Sequence, residues 1–343
     1  MSKPRGLFDE QIRLEKLSKK QDPLEQLSNH VDFEFFRKPL EKFFNKDADP
    51  SKGGRPAYDC VLMFKILILQ RYYNVSDDAI EYAILDRLSF MRFLGLGIND
   101  AVPDAKTIWL FRDNLTAGGM VEKLFAHLDN LLDKDGIIVH KGKLVDASIV
   151  EVPIQRNSRD ENKELKEGNI PEGWEENKLR QKDTDAQWVT HNGKNYFGYK
   201  NHVKADSTTK LITGYKATTA NIHDSEVMDK LLNNKEDSTQ PLHADSAYRS
   251  EAIEQLCRRK NIESRIHEKG YRNKPLTKQQ QQRNKKKSRI RARVEHIFGF
   301  MTNSMNEMYL HYRNFIRNQA AIGLMNLTYN LFRLVQLKVE IKN

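Results

Sequence analysis

The segment Lys143-Leu-Val-Asp-Ala-Ser-Ile-Val-Glu-Val152 decides the fold class of this chain. It is rich in β-branched residues and lies between Gly142 and Pro153, which predicts a β-strand. Asp146 lies within this strand among apolar neighbours. A carboxylate in apolar surroundings is costly unless a partner compensates its charge, so the position of Asp146 indicates a functional role.

The residues after this strand alternate between predicted strands and predicted helices. Further strands are expected at Tyr196 to Val203, Leu211 to Thr219, Leu242 to Asp245 and Ile262 to Ile266. Helices are expected at Ser225 to Leu232, Ser250 to Lys260 and Ser288 to Met305, and along the apolar stripe from Ile316 to Leu334. Residues 155 to 187 are polar and of mixed charge, which indicates a solvated insertion. The order β-β-β-α-β-α-β-α after residue 138 predicts a mixed α/β fold whose later strands are joined by crossover helices.

The N-terminal part of the chain is predicted to be helical. Residues 1 to about 50 form a charged segment with a short aromatic helix, and Ser51 to Pro56 has the Gly/Pro content of a linker. Apolar residues recur at helical spacing from Tyr58 to Tyr73, Ser76 can cap the next helix, and a third helix is expected near Asp104. Such helices are typical of a helix-turn-helix and equally of any helical bundle. The predicted regions are therefore 1–50, a helical domain at 51–135 and an α/β domain at 136–343.

Length and composition exclude several classes of protein. A chain of 343 residues favours two domains. The longest apolar run, Val61 to Leu69, is broken by Lys65, so no membrane span is expected. The charged N-terminus lacks the apolar stretch of a secretory signal, which predicts a cytoplasmic protein. The two cysteines, Cys60 and Cys257, form no CxxC pair, which excludes a disulfide framework and a zinc ribbon.

The positive charge of the chain is concentrated in one segment. The net charge is +10, and eleven basic residues with no acidic one lie between Lys269 and Arg293. A basic surface of this kind attracts polyanions, which favours nucleic-acid binding. A solvated loop is the alternative for Lys285 to Lys287.

Three carboxylates are candidates for a shared site. Asp146 and Asp245 each lie in or at the end of a short apolar strand, and Glu295 interrupts an amphipathic helix with Arg291 one turn before it. Carboxylates brought together repel one another unless cations neutralise them, and oxygen ligands suit Mg²⁺ or Mn²⁺. Two such ions support an in-line phosphoryl displacement. For each residue taken singly, a solvated turn is the alternative.

For other polar residues near the predicted strand ends, the sequence allows both a functional and a structural role. Tyr248 could suggest a tyrosine recombinase, but no Arg/His cluster accompanies it and packing is the simpler interpretation. Asn221, His223, Asp224 and His243 are placed to line the same cleft, with a structural hydrogen-bonding role as the alternative.

Several motifs together resemble one known family. They are Leu144-Val-Asp146-Ala-Ser, Tyr196-Phe-Gly-Tyr-Lys200, Ala220-Asn-Ile-His-Asp224, His243-Ala-Asp-Ser-Ala-Tyr248 and Arg293-Val-Glu-His-Ile-Phe298, with Gly54-Arg-Pro56 and Pro103-Asp-Ala-Lys-Thr-Ile108 nearer the N-terminus. From about Phe33 to the last helix, the chain resembles bacterial insertion-sequence transposases of the IS5 type. These belong to the DDE transposases. The resemblance implies a ribonuclease-H-like mixed sheet with flanking helices, preceded by an all-helical DNA-binding domain.

The resemblance also implies the site and its partners. Asp146, Asp245 and Glu295 would be the catalytic, metal-binding triad, which would hold two Mg²⁺ or Mn²⁺ ions. Residues expected to contact DNA are Arg291, Lys285, Lys286, Lys287, Arg289, Arg293, Lys106 and Arg112. The family often has Tyr and Lys where this chain has Ser288 and Thr302, so Lys286, Lys287 or Arg289 would substitute. The partners would be double-stranded DNA of the element's terminal repeats and of the target, in a synaptic complex of a homodimer associated with the bacterial nucleoid.

The resulting hypothesis is metal-dependent cleavage at the ends of an insertion element followed by strand transfer into target DNA. Two alternatives remain at this point. A non-catalytic, sequence-specific regulator would bind DNA without metal-dependent nicking, and a ribonuclease-H-like nuclease would hydrolyse DNA without joining it.

Overall fold

The computed structural model describes residue 6 and residues 8–45, 56–233 and 236–342. Residues 51–55 of the predicted linker therefore lie outside the described residues. The chain divides into two compact units, Met1–Met120 with Asn330–Asn343, and Val121–Tyr329. No helix among the described residues is long and apolar enough to cross a membrane.

The first unit is helical, as predicted. Its helices are α1 (Asp9–Lys19), α2 (Pro23–His30), α3 (Arg37–Phe44), α4 (Cys60–Tyr73), α5 (Asp77–Asp86), α6 (Leu88–Leu94) and α7 (Ala105–Ala117). The Ser76 side chain accepts a hydrogen bond from the backbone N–H of Ala79, and Asp104 accepts one from Thr107, so both predicted helix starts are confirmed. Side-chain oxygens at these positions satisfy N–H groups that lack a partner within the helix.

The second unit contains the sheet and most of the remaining helices. Its elements begin with α8 (Met120–Lys134), β1 (Lys143–Glu151), α9 (Arg159–Lys166), α10 (Glu176–Gln181), β2 (Gln187–His191), β3 (Lys194–Asp206) and β4 (Ile212–Thr219). They continue with α11 (Met228–Leu231), β5 (Pro241–His243), α12 (Glu251–Arg259), β6 (Glu263–Ser264), α13 (Lys278–Arg291), α14 (Glu295–Asn303) and α15 (Phe315–Lys342). The last part of α15 is assigned to the first unit.

The sheet has an antiparallel half and a parallel half. The strand order is β2-β3-β1-β5-β6, and β4 also pairs with β3. Strand β3 is antiparallel to β1, β2 and β4, whereas β1, β5 and β6 are mutually parallel. The central path β4-β3-β1-β5-β6 with crossover helices is a ribonuclease-H-like arrangement, so the predicted fold class is confirmed.

Strand β2 was not predicted. Its sequence, Gln187-Trp-Val-Thr-His191, is largely polar, and it pairs with the first residues of β3 as a hairpin. Asn192 and Gly193 form the connecting turn with positive φ angles of 50° and 76°. Asn-Gly is the preferred pair for such a turn, so the hairpin carried a local signal. The rest of the polar insertion contains the two short helices α9 and α10.

The helix expected from Ser288 to Met305 is wrong in its boundaries. Helix α13 begins ten residues earlier, after Thr277, which forms a capping box with Gln280. It ends at Arg291, and a 3-10 turn at Ala292–Val294 precedes α14, which begins at Glu295. The part of the basic segment from Lys278 to Arg291 is therefore itself helical. The apolar spacing of this segment predicts a core stripe of Ile290, Val294, Ile297, Met301 and Met305, of which the last four are buried and Ile290 is half-buried.

Helix α8 belongs to the unit that contains the sheet. Phe125 of α8 packs edge-on against Tyr215 of β4, with ring centroids 4.8 Å apart, and Glu122 accepts a hydrogen bond from Gln319 of α15. These contacts explain why the compact units divide before α8, whereas the predicted boundary at residues 135 and 136 follows it.

Candidate active site

Asp146 lies in β1, and Asp245 lies two residues after the end of the adjacent parallel strand β5. Strand β1 pairs with β5 through Lys143↔Leu242 and Leu144↔His243, an offset of 99 positions. Asp146 and Asp245 are also 99 positions apart in the sequence. The backbone N–H of His267 donates to the carbonyl of Ala244, so extended pairing reaches the residue before Asp245. Adjacent strands are separated by about 4.8 Å, so the register brings the two aspartates together at one edge of the sheet.

Local hydrogen bonds orient both carboxylates. Asp245 caps a 3-10 turn, Ser246–Tyr248, and accepts a hydrogen bond of 2.8 Å from the backbone N–H of Ala247. Asp146 accepts one of 2.9 Å from the backbone N–H of Ala147 through Oδ1. Its second oxygen, Oδ2, accepts 2.7 Å from Nη1 of Arg291.

Arg291 joins Asp146 to Glu295. The other terminal nitrogen of Arg291, Nη2, lies 3.1 Å from Oε1 of Glu295. The side chain of Glu295 is 65 % exposed, whereas that of Asp146 is only 18 % exposed. Arg291 was predicted to contact phosphate, and here its guanidinium bridges two of the three predicted triad carboxylates.

The site carries an excess of negative charge. The pKa of Asp146 is raised to about 6, chiefly by burial and also by the carboxylates of Asp245 and Asp224, although Arg291 opposes the shift. Asp224 lies just before the short helix α11 and accepts a hydrogen bond of 2.8 Å from Nζ of Lys200. A cation is therefore favoured beside Asp146, because it would offset both desolvation and repulsion.

Lys200 is a further residue of the site for which its motif alone predicts no separate role. Lys200, His202 and Lys204 alternate along β3 and so share one face of the strand. Lys200 bonds to Asp224 and to the carbonyl of Ile222, and burial lowers the pKa of His202 to about 4. Basic residues at every second position of a strand predict that acidic partners lie on the face of the sheet that these residues share. This pattern could have identified Lys200 from the sequence.

Some of the side chains predicted to contact DNA are exposed, and others already donate hydrogen bonds within the protein. Lys285, Lys286 and Arg289 are exposed on α13, and Lys106 is exposed on α7 in the first unit. Nζ of Lys287 donates to the carbonyl of Ile266 at 2.8 Å. Nη1 of Arg293 donates to the carbonyl of Ser207 at 2.7 Å. Lys287 and Arg293 therefore each stabilise a backbone carbonyl group of the protein.

Arg112 does not belong with these contacts, and its predicted role in DNA binding is corrected. It is 8 % exposed, and its Nη2 donates to Oδ2 of Asp77 at 2.8 Å. Its Nη1 also donates to Oε1 of Gln70 at 2.9 Å. An arginine held by these partners stabilises the packing of α4, α5 and α7.

Comparison with known proteins assigns the chain to a family. Residues 12–114 match the family model described as Transposase domain (DUF772), and residues 139–331 match the one described as Transposase DDE domain. The second match alone covers more than half of the chain. The chain belongs to the DDE transposases. A solved structure of the piggyBac transposase synaptic complex with hairpin DNA is similar over 94 % of this chain and 76 % of that chain, with 14 % identity and a TM-score of 0.46.

Membership in this family confirms several predictions. The DDE transposase is an enzyme that cleaves DNA and transfers strands, and it depends on a divalent metal. DNA is accordingly among its partners. The assignment to the IS5 type, the roles of individual residues and the homodimer stay predictions.

The residues of this transposase fit a divalent cation in their donor chemistry. The oxygens of Asp146 and Asp245 are hard ligands of the type that Mg²⁺ and Mn²⁺ prefer, and the pKa of Asp146 is raised chiefly because its carboxylate is buried. Within the described residues, no three His, Cys, Asp or Glu side chains converge closely enough to form a metal site. Instead, Arg291 supplies the positive charge between Asp146 and Glu295.

Proposed function

We propose that Asp146, Asp245 and Glu295 are the catalytic carboxylates of an insertion-sequence transposase of the IS5 type, and that they hold two divalent cations, Mg²⁺ or Mn²⁺. The observation that carries this proposal is the shared offset of 99 positions between the two aspartates and between the paired strands. Bound divalent cations supply Lewis acidity for displacement at phosphorus. Asp146 and Asp245 are the principal ligands, and the exposed Glu295 completes the set.

Arg291 has two successive roles in this proposal. Before a cation binds, its guanidinium neutralises Asp146 and Glu295. If those carboxylates held a divalent cation, their attraction for Arg291 would fall, because the two positive groups would compete for the same oxygens. The guanidinium would then be available to hold a phosphate of the bound DNA, as planar bidentate donors do.

The reaction has two displacements at phosphorus. In the first, a water oxygen attacks the phosphodiester at an element end, and the 3′-oxygen leaves as a free 3′-hydroxyl. In the second, that hydroxyl attacks a phosphodiester of the target, forms a new phosphorus–oxygen bond and releases the target's own 3′-hydroxyl. Neither displacement needs a covalent bond to the protein.

The DNA-binding surface that we propose for the second unit is the exposed face of α13. The positive charges directly before Arg291 come from Lys285, Lys286 and Arg289. Beside them lie Lys287 and Arg293, each of which already donates one hydrogen bond to a backbone carbonyl of the protein. Lys106 is the proposed contact of the first unit. Cationic side chains that bind phosphates release condensed counterions, which makes the affinity dependent on salt. Joining two element ends requires a synaptic complex, for which we propose a homodimer.

A cleavage assay with single variants tests this function. Asp146→Ala, Asp245→Ala and Glu295→Ala should each abolish Mg²⁺-dependent cleavage of duplex element ends while end binding in a mobility-shift assay remains. Glu263→Gln, an exposed carboxylate on β6, serves as the matched control and should cleave normally. Full cleavage by Asp146→Ala would refute the assignment. Hydrolysis without joining would indicate a nuclease, and binding without any nicking would indicate a regulator.

A further inference from the structure

Tyr248 is buried directly beneath the proposed catalytic residues. It lies three residues after Asp245, at the end of the 3-10 turn that Asp245 caps, and its side chain has no exposed surface. Its ring belongs to a core cluster that also includes Val145, Ala244 and Val227. Val145 and Ala244 are the chain neighbours of Asp146 and Asp245, so this ring packs where the two strands carry their carboxylates.

The hydroxyl of Tyr248 has no hydrogen-bond partner among the described residues. Leaving a buried hydroxyl unpaired is unfavourable, because the group has lost its hydrogen bonds to water. The phenol experiences the negative charges of Asp224, Asp146 and Asp245. An unpaired donor therefore lies within electrostatic range of three carboxylates without a hydrogen bond to any of them.

The surrounding elements hold the ring in this position. The 3-10 turn of Asp224–Val227 packs against the turn of Ser246–Tyr248, which brings Asp224 to the same region as Asp245. Burial, followed by the three carboxylates, raises the pKa of Tyr248 well above its usual value, so the hydroxyl keeps its proton at neutral pH. A neutral phenol can donate one hydrogen bond to a carboxylate oxygen.

We propose that Tyr248 is a positioning residue whose hydroxyl donates a hydrogen bond to a carboxylate oxygen of Asp146, Asp245 or Asp224 when Asp146 and Asp245 hold a divalent cation. The inference rests on the proposed function, because it requires Asp146 and Asp245 to be ligands. A cation draws ligand oxygens inward, and a fixed donor behind them selects the orientation in which they bind it. Hydrogen bonds of this kind typically change metal affinity by about 10- to 100-fold.

Two other roles for Tyr248 make different predictions. A nucleophile that attacks DNA would need an accessible hydroxyl, and this hydroxyl is buried. A residue that only fills the core would leave metal affinity unchanged when its hydroxyl is removed. Metal affinity therefore distinguishes positioning from packing without any measurement of DNA cleavage.

The test compares Tyr248→Phe with Tyr215→Phe in the full chain. Tyr215 also carries a buried hydroxyl without a partner among the described residues, but it lies on β4 beside Phe125 of α8. Titration calorimetry with Mn²⁺ should show affinity about 10- to 100-fold weaker in Tyr248→Phe and unchanged in Tyr215→Phe. The melting temperature of metal-free Tyr248→Phe should equal or exceed that of the wild type, because the variant removes an unsatisfied hydroxyl and keeps the ring.

Wild-type Mn²⁺ affinity in Tyr248→Phe would overturn the inference. If Asp146→Asn still weakens binding in that case, the proposed function survives and only the role of Tyr248 is lost. If the wild type binds no Mn²⁺, both fail. Should Tyr248→Phe not fold, 3-fluorotyrosine at position 248 of the otherwise unchanged chain replaces it. Its ¹⁹F resonance should shift on addition of Mg²⁺ while the same label at position 215 does not, and an unmoved resonance at 248 would overturn the inference.

Discussion

Arg291 donates a hydrogen bond of 2.7 Å to Asp146, although 145 positions separate the two residues in the chain. The contact connects the end of the basic helix α13 to the middle of the central strand β1. A single guanidinium therefore lies between the proposed DNA-binding surface and the proposed catalytic carboxylates. Any change in the charge at Asp146 alters the environment of a side chain that can hold phosphate.

Removing the charge of Arg291 should strengthen metal binding and weaken catalysis. In Arg291→Met, a cation no longer competes with the guanidinium for Asp146 and Glu295, so Mn²⁺ should bind about 10-fold more tightly, which corresponds to about 1.4 kcal/mol. Cleavage of element ends should nevertheless fall, because the phosphate contact is lost. Calorimetry and a cleavage assay measure the two effects. Arg293→Met is the control for metal affinity, since Arg293 bonds to a carbonyl group. Weaker Mn²⁺ binding in Arg291→Met would contradict this account.

The stability of the protein should depend on pH through Asp129 of α8. Burial raises the pKa of Asp129 from 3.8 to about 7, and Glu236 raises it further, against the lowering effect of Lys204 and Lys143. The folded state thus holds this proton more tightly than the unfolded state, and the resulting stability is lost as pH rises from about 4 through about 7. Asp129→Asn should therefore raise the free energy of unfolding more at pH 8 than at pH 5, by a difference on the order of 2 kcal/mol. Urea denaturation at both pH values measures this, and an equal gain at pH 5 would contradict it.

Neutralising the exposed face of α13 should reduce the salt dependence of DNA binding. Each phosphate contact contributes about −0.9 to the slope of log affinity against log salt concentration. The triple variant Lys285→Gln, Lys286→Gln and Arg289→Gln should therefore make that slope shallower by about 3. Mobility-shift titrations across a range of salt concentrations measure it. Replacing Arg258 and Arg259, which are exposed on α12, with Gln should have little effect. An equal effect from both sets would show that α13 has no special role.

Arg112 should affect stability and have no direct part in DNA binding. Arg112→Met leaves Asp77 and Gln70 without their buried partner, and breaking such a pair costs about 3 kcal/mol. Lys106→Met changes an exposed residue of the same helix and should alter stability by less than about 0.5 kcal/mol. Chemical denaturation of the two variants compares them directly. A variant Arg112→Met that is as stable as the wild type but binds DNA more weakly would support a direct role of Arg112 in DNA binding.

The sequence predicted the parts of the fold that local patterns encode. Apolar and β-branched runs identified β1 and β4, and the capping residues Ser76, Asp104 and Ser250 marked the starts of three helices. Two further local signals were present and were not used. These are the Asn192-Gly193 turn that forms the β2–β3 hairpin, and Thr277 with Gln280, whose capping box begins α13.

Other features depend on contacts between distant residues and carry no local signal. The basic side chain of Arg112 has the same sequence context as a DNA-binding residue, and only Asp77 on another helix reveals its structural role. The 3-10 turn before Glu295 interrupts an apolar stripe whose spacing predicts one continuous helix. The sequence shows that Asp146 and Asp245 are 99 positions apart. Only the pairing of β1 with β5 shows that this separation equals the offset between the two strands.

Anomalous diffraction from crystals of the full chain grown with Mn²⁺ tests the central claim most directly. The account predicts an anomalous peak about 2.0–2.3 Å from carboxylate oxygens of both Asp146 and Asp245, with the guanidinium of Arg291 withdrawn from Asp146. Mn²⁺ bound elsewhere, with Arg291 still paired to Asp146, would contradict it.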